Sequence, residues 1–299
     1  MSSTLERQAL TLGGLPVGEG RPAIIATRVS LRGRQTHEAT SALLRVSPAA
    51  GPDGRSAGLT PGVTLVEPAT AADLPAIAAH ADAVVVGAAW TRDIPLVRAA
   101  AGTGLPVVVE RRPGASLEEW LGLADYCAVE GDGRVILCEG GRPDLGLVRA
   151  ARTASGRPVL VDVTGDPELA AAAVATGADG LVAGPEGRAL AEEAVTVAGG
   201  LLRPESPATL PECRAAIDRV DAALATLLER RVELAGTVQR IKPVGGFAGR
   251  DIDRERALVA RMARRAPSLG EPGLAPIMNA VIEAGLHLAE RRTAPLTAP

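Results

Sequence analysis

Three cationic side chains fall on one largely apolar stripe in the last third of the chain. Between Thr209 and Lys242, steps of three and four residues select Arg214, Ile217, Asp221, Leu224, Leu228, Arg231, Ala235, Val238 and Lys242. This spacing is typical of a helix face that packs against a partner. A cation removed from water is costly unless an anion pairs with it, and the stripe contains only Asp221. We therefore expect a small dicarboxylate to bind here.

The helix that positions these cations is well defined by the sequence. Thr209 and Glu212 have the spacing of a capping box, Pro211 suits a first turn, and Pro243 and Gly245 end the helix. At ~1.5 Å per residue it runs about 50 Å. A second apolar stripe also needs cover: Val220, Leu227, Leu234 and Ile241. We predict that a second copy of the chain covers it, which gives a homodimer through helices.

Composition excludes several classes of function. The chain has 299 residues, enough for two domains, with 1% aromatic residues and a net charge of -3. These values argue against a nucleic-acid partner. The sequence shows no signal peptide and no apolar run that spans a membrane, so we expect no membrane partner. Three scattered cysteines suit a reducing cytosol, which predicts a cytoplasmic protein.

Short apolar runs alternate with amphipathic helical segments from Arg21 to Leu202. This alternation predicts a parallel α/β sheet, and eight such units would close a TIM barrel. The run at residues 43–48 is weak, and residues 47–62 have no helical period, so one helix is expected to be missing. An open, doubly wound sheet is the alternative. The predicted domains are a tail at 1–20, a barrel at 21–202, a linker at 203–210, a helical domain at 211–292 and a disordered tail at 293–299.

The helical domain resembles the all-helical chorismate mutases. The resemblance rests on CRAAID, LLERRVELAGTVQRIK and RDIDRERA, in this order and spacing. It implies three helices, long, short and medium, that entwine with those of a second subunit. It also implies that the domain converts chorismate to prephenate, a step of aromatic amino-acid biosynthesis in the shikimate pathway.

The resemblance assigns six residues to the substrate site: Arg214, Arg231, Lys242, Asp251, Arg254 and Glu255. All six are implied to bind substrate, and all except Asp251 to take part in catalysis. Arg214 would come from the other subunit, Arg231 would grip a carboxylate, and Lys242 would contact a carboxylate and the ether oxygen. Asp251, Arg254 and Glu255 match Asp-x-x-Arg-Glu, with Glu255 facing the ring hydroxyl. The rearrangement is pericyclic, so fixed cations suffice and we expect no cofactor and no metal.

The α/β region resembles the barrel of DAHP synthase, which condenses phosphoenolpyruvate with erythrose 4-phosphate. The resemblance rests on PVVVERRPGASLEEWLGLADYC, VILCEGG, PVLVDVTG and GADGLVAGPEGRAL. That family binds a divalent metal with Cys, His, Glu and Asp, and the corresponding positions here hold Val29, Gly165, Gly184 and Glu192. Glu110 replaces a lysine and Gly140 an arginine of the phosphate site. We therefore predict an inactive barrel that has a scaffolding or regulatory role.

Two positions of the third helix leave the function open. The mutase family usually has Ser-x-x-x-Gln where this chain has Gly285 and Ala289. The loss of the glutamine removes a donor to the ether oxygen. Three alternatives follow: a slow chorismate mutase, a mutase for 4-amino-4-deoxychorismate, isochorismate or another chorismate relative, or a non-catalytic regulatory partner of an active DAHP synthase.

Overall fold

A computed structural model describes residues 9–32, 62–242 and 244–293. The weak run at 43–48 and residues 294–299 of the predicted tail lie outside this described part. The chain divides into two compact units, Met1–Val220 and Asp221–Pro299. Each unit is described by itself.

The first unit contains a closed barrel of seven parallel strands. The strands are β3 (Ile24–Ser30), β4 (Val63–Glu67), β5 (Ala83–Val86), β6 (Val107–Glu110), β7 (Val135–Glu139), β8 (Val159–Asp162) and β9 (Gly180–Val182). Strand β3 pairs with both β4 and β9, so Ala26 lies opposite Val63 on one side and Val182 on the other. The predicted parallel barrel is confirmed, with seven strands among the described residues where eight were expected; β4 pairs directly with β3, and the weak run at 43–48 lies outside the described part.

A hairpin closes the amino end of the barrel. It consists of β1 (Ala9–Leu12) and β2 (Leu15–Gly18), which pair antiparallel. Leu12 and Val17 are fully buried against the apolar side chains that fill the barrel, such as Val108 and Ile136. The segment predicted as an N-terminal tail is therefore in part a hairpin, because its alternating apolar residues cover the apolar interior of the barrel at this end.

Helices surround the barrel and bury their apolar faces against it. They are α1 (Leu74–His80), α2 (Ile94–Ala101), α3 (Leu117–Glu130), α4 (Leu145–Ser155), α5 (Ala170–Thr176), α6 (Arg188–Glu193) and α7 (Gly200–Leu202). A π-helical stretch, Ala194–Gly199, joins the last two. Among the described residues of this unit there are also three 3-10 turns, Ala71–Asp73, Ala88–Trp90 and Pro167–Leu169, and the second unit contains another at Phe247–Gly249.

The segment after the barrel is tied to it rather than free. The Arg203 guanidinium is buried and pairs with Asp179 at 2.9 Å. The Ser206 amide donates to the Gly20 carbonyl, and Glu205 pairs with Arg219. The stretch predicted as a linker at 203–210 is thus held by hydrogen bonds within the first unit.

Three helices follow: α8 (Leu210–Ile241), α9 (Ile252–Ala263) and α10 (Gly270–Thr293). The capping box at the start of α8 is confirmed, since Thr209 Oγ1 accepts from the Glu212 amide and Glu212 accepts from the Thr209 amide. The second apolar stripe of α8 is uncovered in the single chain, with Leu227 54%, Leu234 55% and Ile241 77% exposed.

Candidate functional site

Arg231 lies on α8 facing α10, half-buried and without an ion pair among the described residues. Its Nη1 donates to the Val281 carbonyl at 3.3 Å. Gly285 lies one turn further along α10, and a Cβ there would lie 3.9 Å from Arg231 Nη1, an ordinary contact distance. Burial lowers the pKa of Arg231 and the positive charge of Arg254 lowers it further, while Glu255 only partly opposes this. The positive charge of the Arg231 guanidinium is therefore only partly compensated by the protein.

Lys242 and Asp251 contact the backbone of the connection between α8 and α9. Lys242 Nζ donates to the Gly249 carbonyl at 2.7 Å, which leaves two of its three donors for another group. Asp251 is the N-cap of α9, and its Oδ1 accepts from the Arg254 amide at 3.0 Å. Its role in the described structure is to fix the first turn that presents Arg254 and Glu255.

Arg250 grips Glu255 with two nitrogens, a contact that the sequence reasoning missed. Its Nη2 lies 2.6 Å from Glu255 Oε2 and its Nε 3.2 Å from Oε1. The same guanidinium donates to Glu283 at 3.2 Å and to Asn279 at 2.7 Å, both on α10. Asn279 in turn donates to Glu283 at 2.9 Å. We call Arg250, Glu255, Asn279 and Glu283 the Arg250 cluster; the hydrogen bond with Glu255 raises the pKa of Arg250.

A cavity of about 290 Å³ opens between α9 and α10 beside the Arg250 cluster. Arg250, Glu255 and Asn279 line it together with apolar side chains such as Met278 and Ile282. Of the six predicted site residues, only Glu255 lines this cavity. The charges of Arg254 and Glu255 both act on Arg231, so these two side chains lie in its neighbourhood within the second unit.

Arg214 belongs to the other compact unit. It lies on the first part of α8, within Met1–Val220, and is exposed. Among the described residues it has no ion pair. The remaining five predicted residues all belong to Asp221–Pro299.

The carboxyl end of the barrel, where TIM-barrel enzymes hold their active sites, contains a buried ion cluster. Arg28 donates to Glu67 Oε2 at 2.9 Å and to both oxygens of Glu110 at 3.0 Å, and it lies 3.6 Å from Asp162. Burial opposes the charge, but the hydrogen bonds and charges of Glu110 and Glu67 outweigh it and raise the pKa of Arg28. We call Arg28, Glu67, Glu110 and Asp162 the barrel plug.

The other donors around the barrel plug satisfy its carboxylates. Trp90 Nε1 donates to Glu67 at 3.0 Å, and the Ala88 amide to Glu110 at 2.7 Å. Gly87 and Gly140 make room, since a Cβ there would lie 2.0 Å from Glu67 and 2.6 Å from Glu110, respectively. The upper layer of the barrel is thus filled by the protein's own charges.

The helical residues match a known family model, that of chorismate mutase type II, over residues 213–290. Residues 213–290 form a chorismate mutase type II domain. The predicted resemblance of this part of the chain is confirmed.

Ahead of the mutase domain, the chain is similar to a phospho-2-dehydro-3-deoxyheptonate aldolase from Thermotoga maritima. The two are 29% identical over an alignment of 218 positions that covers 59% of this chain and 64% of the relative. The chain therefore spans less than two thirds of that relative's length. The predicted DAHP synthase-like barrel ahead of the mutase domain is confirmed.

Two solved structures from Thermotoga maritima are also similar. One is a truncated form of 3-deoxy-D-arabino-heptulosonate 7-phosphate synthase, at 27% identity over 59% of this chain and 79% of that chain, with a TM-score of 0.46. The other is a phospho-2-dehydro-3-deoxyheptonate aldolase (DAHP synthase), at 28% identity over 59% and 63%, with a TM-score of 0.45.

The residues at the expected metal positions of the synthase-like barrel do not fit a metal ion. Val29, Gly165 and Gly184 have no ligand atom on their side chains, and Glu192 pairs with Arg188 at 2.9 Å. Within the described residues, no group of three His, Cys, Asp or Glu is placed to hold a metal. None of the described helices is long and apolar enough to cross a membrane.

Proposed function

We propose that the mutase domain rearranges chorismate to prephenate without a cofactor, in a site completed by a second copy of the chain. The observation that carries this proposal is that neither Arg231 nor Arg254, whose positive charge acts on Arg231, has a carboxylate ion pair among the described residues. Two like charges near each other repel unless an anion joins them. A dicarboxylate supplies that anion, and Lys242 at the end of α8 adds a third cation.

The chemistry requires positioning and fixed charge. As the ether bond of chorismate breaks, negative charge develops on the enolpyruvyl fragment. Arg231 and Lys242 are held by the Val281 and Gly249 carbonyls, so their orientation is set before substrate arrives. Preorganised cations of this kind stabilise a transition state without reorganisation during the reaction. Glu255 is proposed to accept from the ring hydroxyl, and Asp251 contributes through the cap of α9.

Uncovered apolar side chains support the proposed homodimer. Leu227, Leu234 and Ile241 lie more than half exposed along a helix that is 32 residues long. A second copy would bury them and could bring Arg214 to the site of its neighbour.

Turnover of chorismate, followed by ultraviolet absorbance, tests the proposal. Arg231→Ala should lower kcat/KM by at least about 100-fold, as expected for the loss of a fixed transition-state donor. Arg230→Ala is the matched control, because Arg230 is the exposed neighbour that pairs with Glu233. Lack of turnover by the wild-type protein on chorismate, 4-amino-4-deoxychorismate and isochorismate would favour the non-catalytic alternative.

Mixed dimers test the origin of Arg214. Arg214→Ala and Arg231→Ala proteins should each be inactive alone. Their mixture after subunit exchange should recover about a quarter of wild-type activity, because half of the dimers then hold one intact site of two. No recovery, with exchange verified by mass spectrometry, would place Arg214 outside the neighbour's site.

We further propose that the synthase-like barrel is catalytically inactive and serves as a scaffold or as a docking domain for an active DAHP synthase. The barrel plug supports this, since three carboxylates and one cation occupy the layer where phosphorylated substrates would bind, and carboxylates repel phosphate. Incubation with phosphoenolpyruvate, erythrose 4-phosphate and Mn²⁺ should give no heptulosonate phosphate, and substantial product would refute this proposal.

A further inference from the structure

Arg250 lies one residue before the cap of α9 and uses four of its five guanidinium N–H donors on protein groups. Four of its contacts are hydrogen bonds of 2.6 to 3.2 Å to Glu255, Glu283 and Asn279. Its side chain is only 18% exposed, as is that of Glu255. A guanidinium engaged in this way has few donors left for a ligand, so its effect must pass through the groups that it holds.

The group that matters most is Glu255, because it borders two cations that have no ion pair among the described residues. It follows Arg254 directly in the chain, and its charge acts on Arg231. A glutamate released from Arg250 would be free to turn towards either of these two arginines. Either pairing would cancel positive charge that an incoming dianion requires.

We propose that Arg250 is a positioning residue that restrains Glu255, so that Arg231 and Arg254 remain uncompensated and available to a dicarboxylate substrate. The proposal rests on the proposed function of the mutase domain and extends it to a residue outside the six that the sequence indicates. Glu283 and Asn279 contribute by hydrogen-bonding Arg250 to α10. These bonds fix the position of the Arg250 guanidinium and therefore the position of the Glu255 carboxylate that it holds.

The test is a double-mutant cycle on the full-length protein with chorismate as substrate. Arg250→Met in the wild-type background should raise KM about fivefold, the scale of one competing, partly exposed ion pair, with a smaller change in kcat. Arg250→Lys retains the positive charge but loses the two-nitrogen contact with Glu255. Its KM should therefore lie between that of the wild type and that of Arg250→Met. In the Glu255→Gln background, Arg250→Met should raise KM by less than about 1.5-fold, because no carboxylate is left to restrain.

The matched control is Arg261→Met. Arg261 is also on α9, is exposed and does not line the cavity beside the Arg250 cluster, so its loss changes net charge equally and should leave KM unchanged. Circular dichroism melts establish that every variant is folded. An equal rise in KM for Arg250→Met with and without Glu255 would overturn the inference, since Arg250 would then act by its own charge or by stabilising the fold. An unchanged KM in the wild-type background would overturn it too. A wild-type protein that turns over no chorismate refutes the proposed function itself, and this inference with it.

Discussion

Replacing Arg28 by methionine should destabilise the barrel severely, because it leaves the carboxylates of the barrel plug without their cation. Arg28 is the shared partner of Glu67, Glu110 and Asp162, whose side chains are 6%, 10% and 9% exposed. Breaking a buried pair by removing one partner costs about 3–5 kcal/mol. For a unit of about 200 residues, that corresponds to a fall in Tm of roughly 10 °C.

Tryptophan fluorescence during denaturant unfolding measures this effect in the barrel alone. The chain has two tryptophans, Trp90 and Trp120, and both are buried in the barrel unit. Arg98→Met is the control, because Arg98 forms a largely exposed pair with Glu130 and its loss should leave the transition where it is. Adding Glu110→Gln to Arg28→Met should recover at least about 1 kcal/mol, since one uncompensated carboxylate is removed. If Arg28→Met unfolds at the same denaturant concentration as the control, the carboxylates of the barrel plug are solvated, and the claim that Arg28 stabilises the barrel is refuted.

Three further predictions concern the interface, the third helix and alkaline stability. Leu227→Asp with Leu234→Asp should convert the proposed dimer to a monomer in sedimentation and abolish turnover; an intact dimer would exclude α8 as the interface. Gly285→Ser with Ala289→Gln should raise kcat on chorismate, because a Cβ at Gly285 meets its neighbours at ordinary distances of 3.8–3.9 Å and the glutamine restores an ether-oxygen donor; a lower kcat would favour a different substrate. Burial raises the pKa of Cys127 to about 12 from 9.0, so the stability that its neutral thiol contributes is present below pH 9 and is lost as pH rises towards 12. Cys127→Ala should therefore flatten the fall of Tm with pH over that range, and an unchanged slope would contradict the assignment.

The strands and the long helix could be predicted because their signals are local. Continuous apolar runs such as Val107–Val109 suit strands buried on both faces, and the Thr209–Glu212 box marks a helix start within four residues. The six predicted site residues come from the resemblance to the all-helical chorismate mutases, and in the second unit the charges of Arg254 and Glu255 act on Arg231.

The features that were missed depend on contacts far apart in the chain. Arg28 pairs with Glu110 across the barrel, and the two are 82 positions apart in the chain. The sequence around neither residue indicates this pairing. Arg250 meets Glu283 33 positions later, although its place directly before Asp251 was a usable hint. The number of strands in the ring could not be predicted from apolar runs alone, because barrel closure depends on how β3 pairs at both of its edges.

The anchoring of Arg203 changes where the two domains can be cut apart. A boundary chosen from the proline-rich stretch at 203–210 would remove Arg203 from the barrel. Asp179, an almost wholly buried carboxylate, would then lose this cation and keep its ion pair with Arg152. An excised barrel ending at Leu202 is therefore expected to aggregate or to be cleaved by trace proteases, and one that runs on to about Val220 should survive purification.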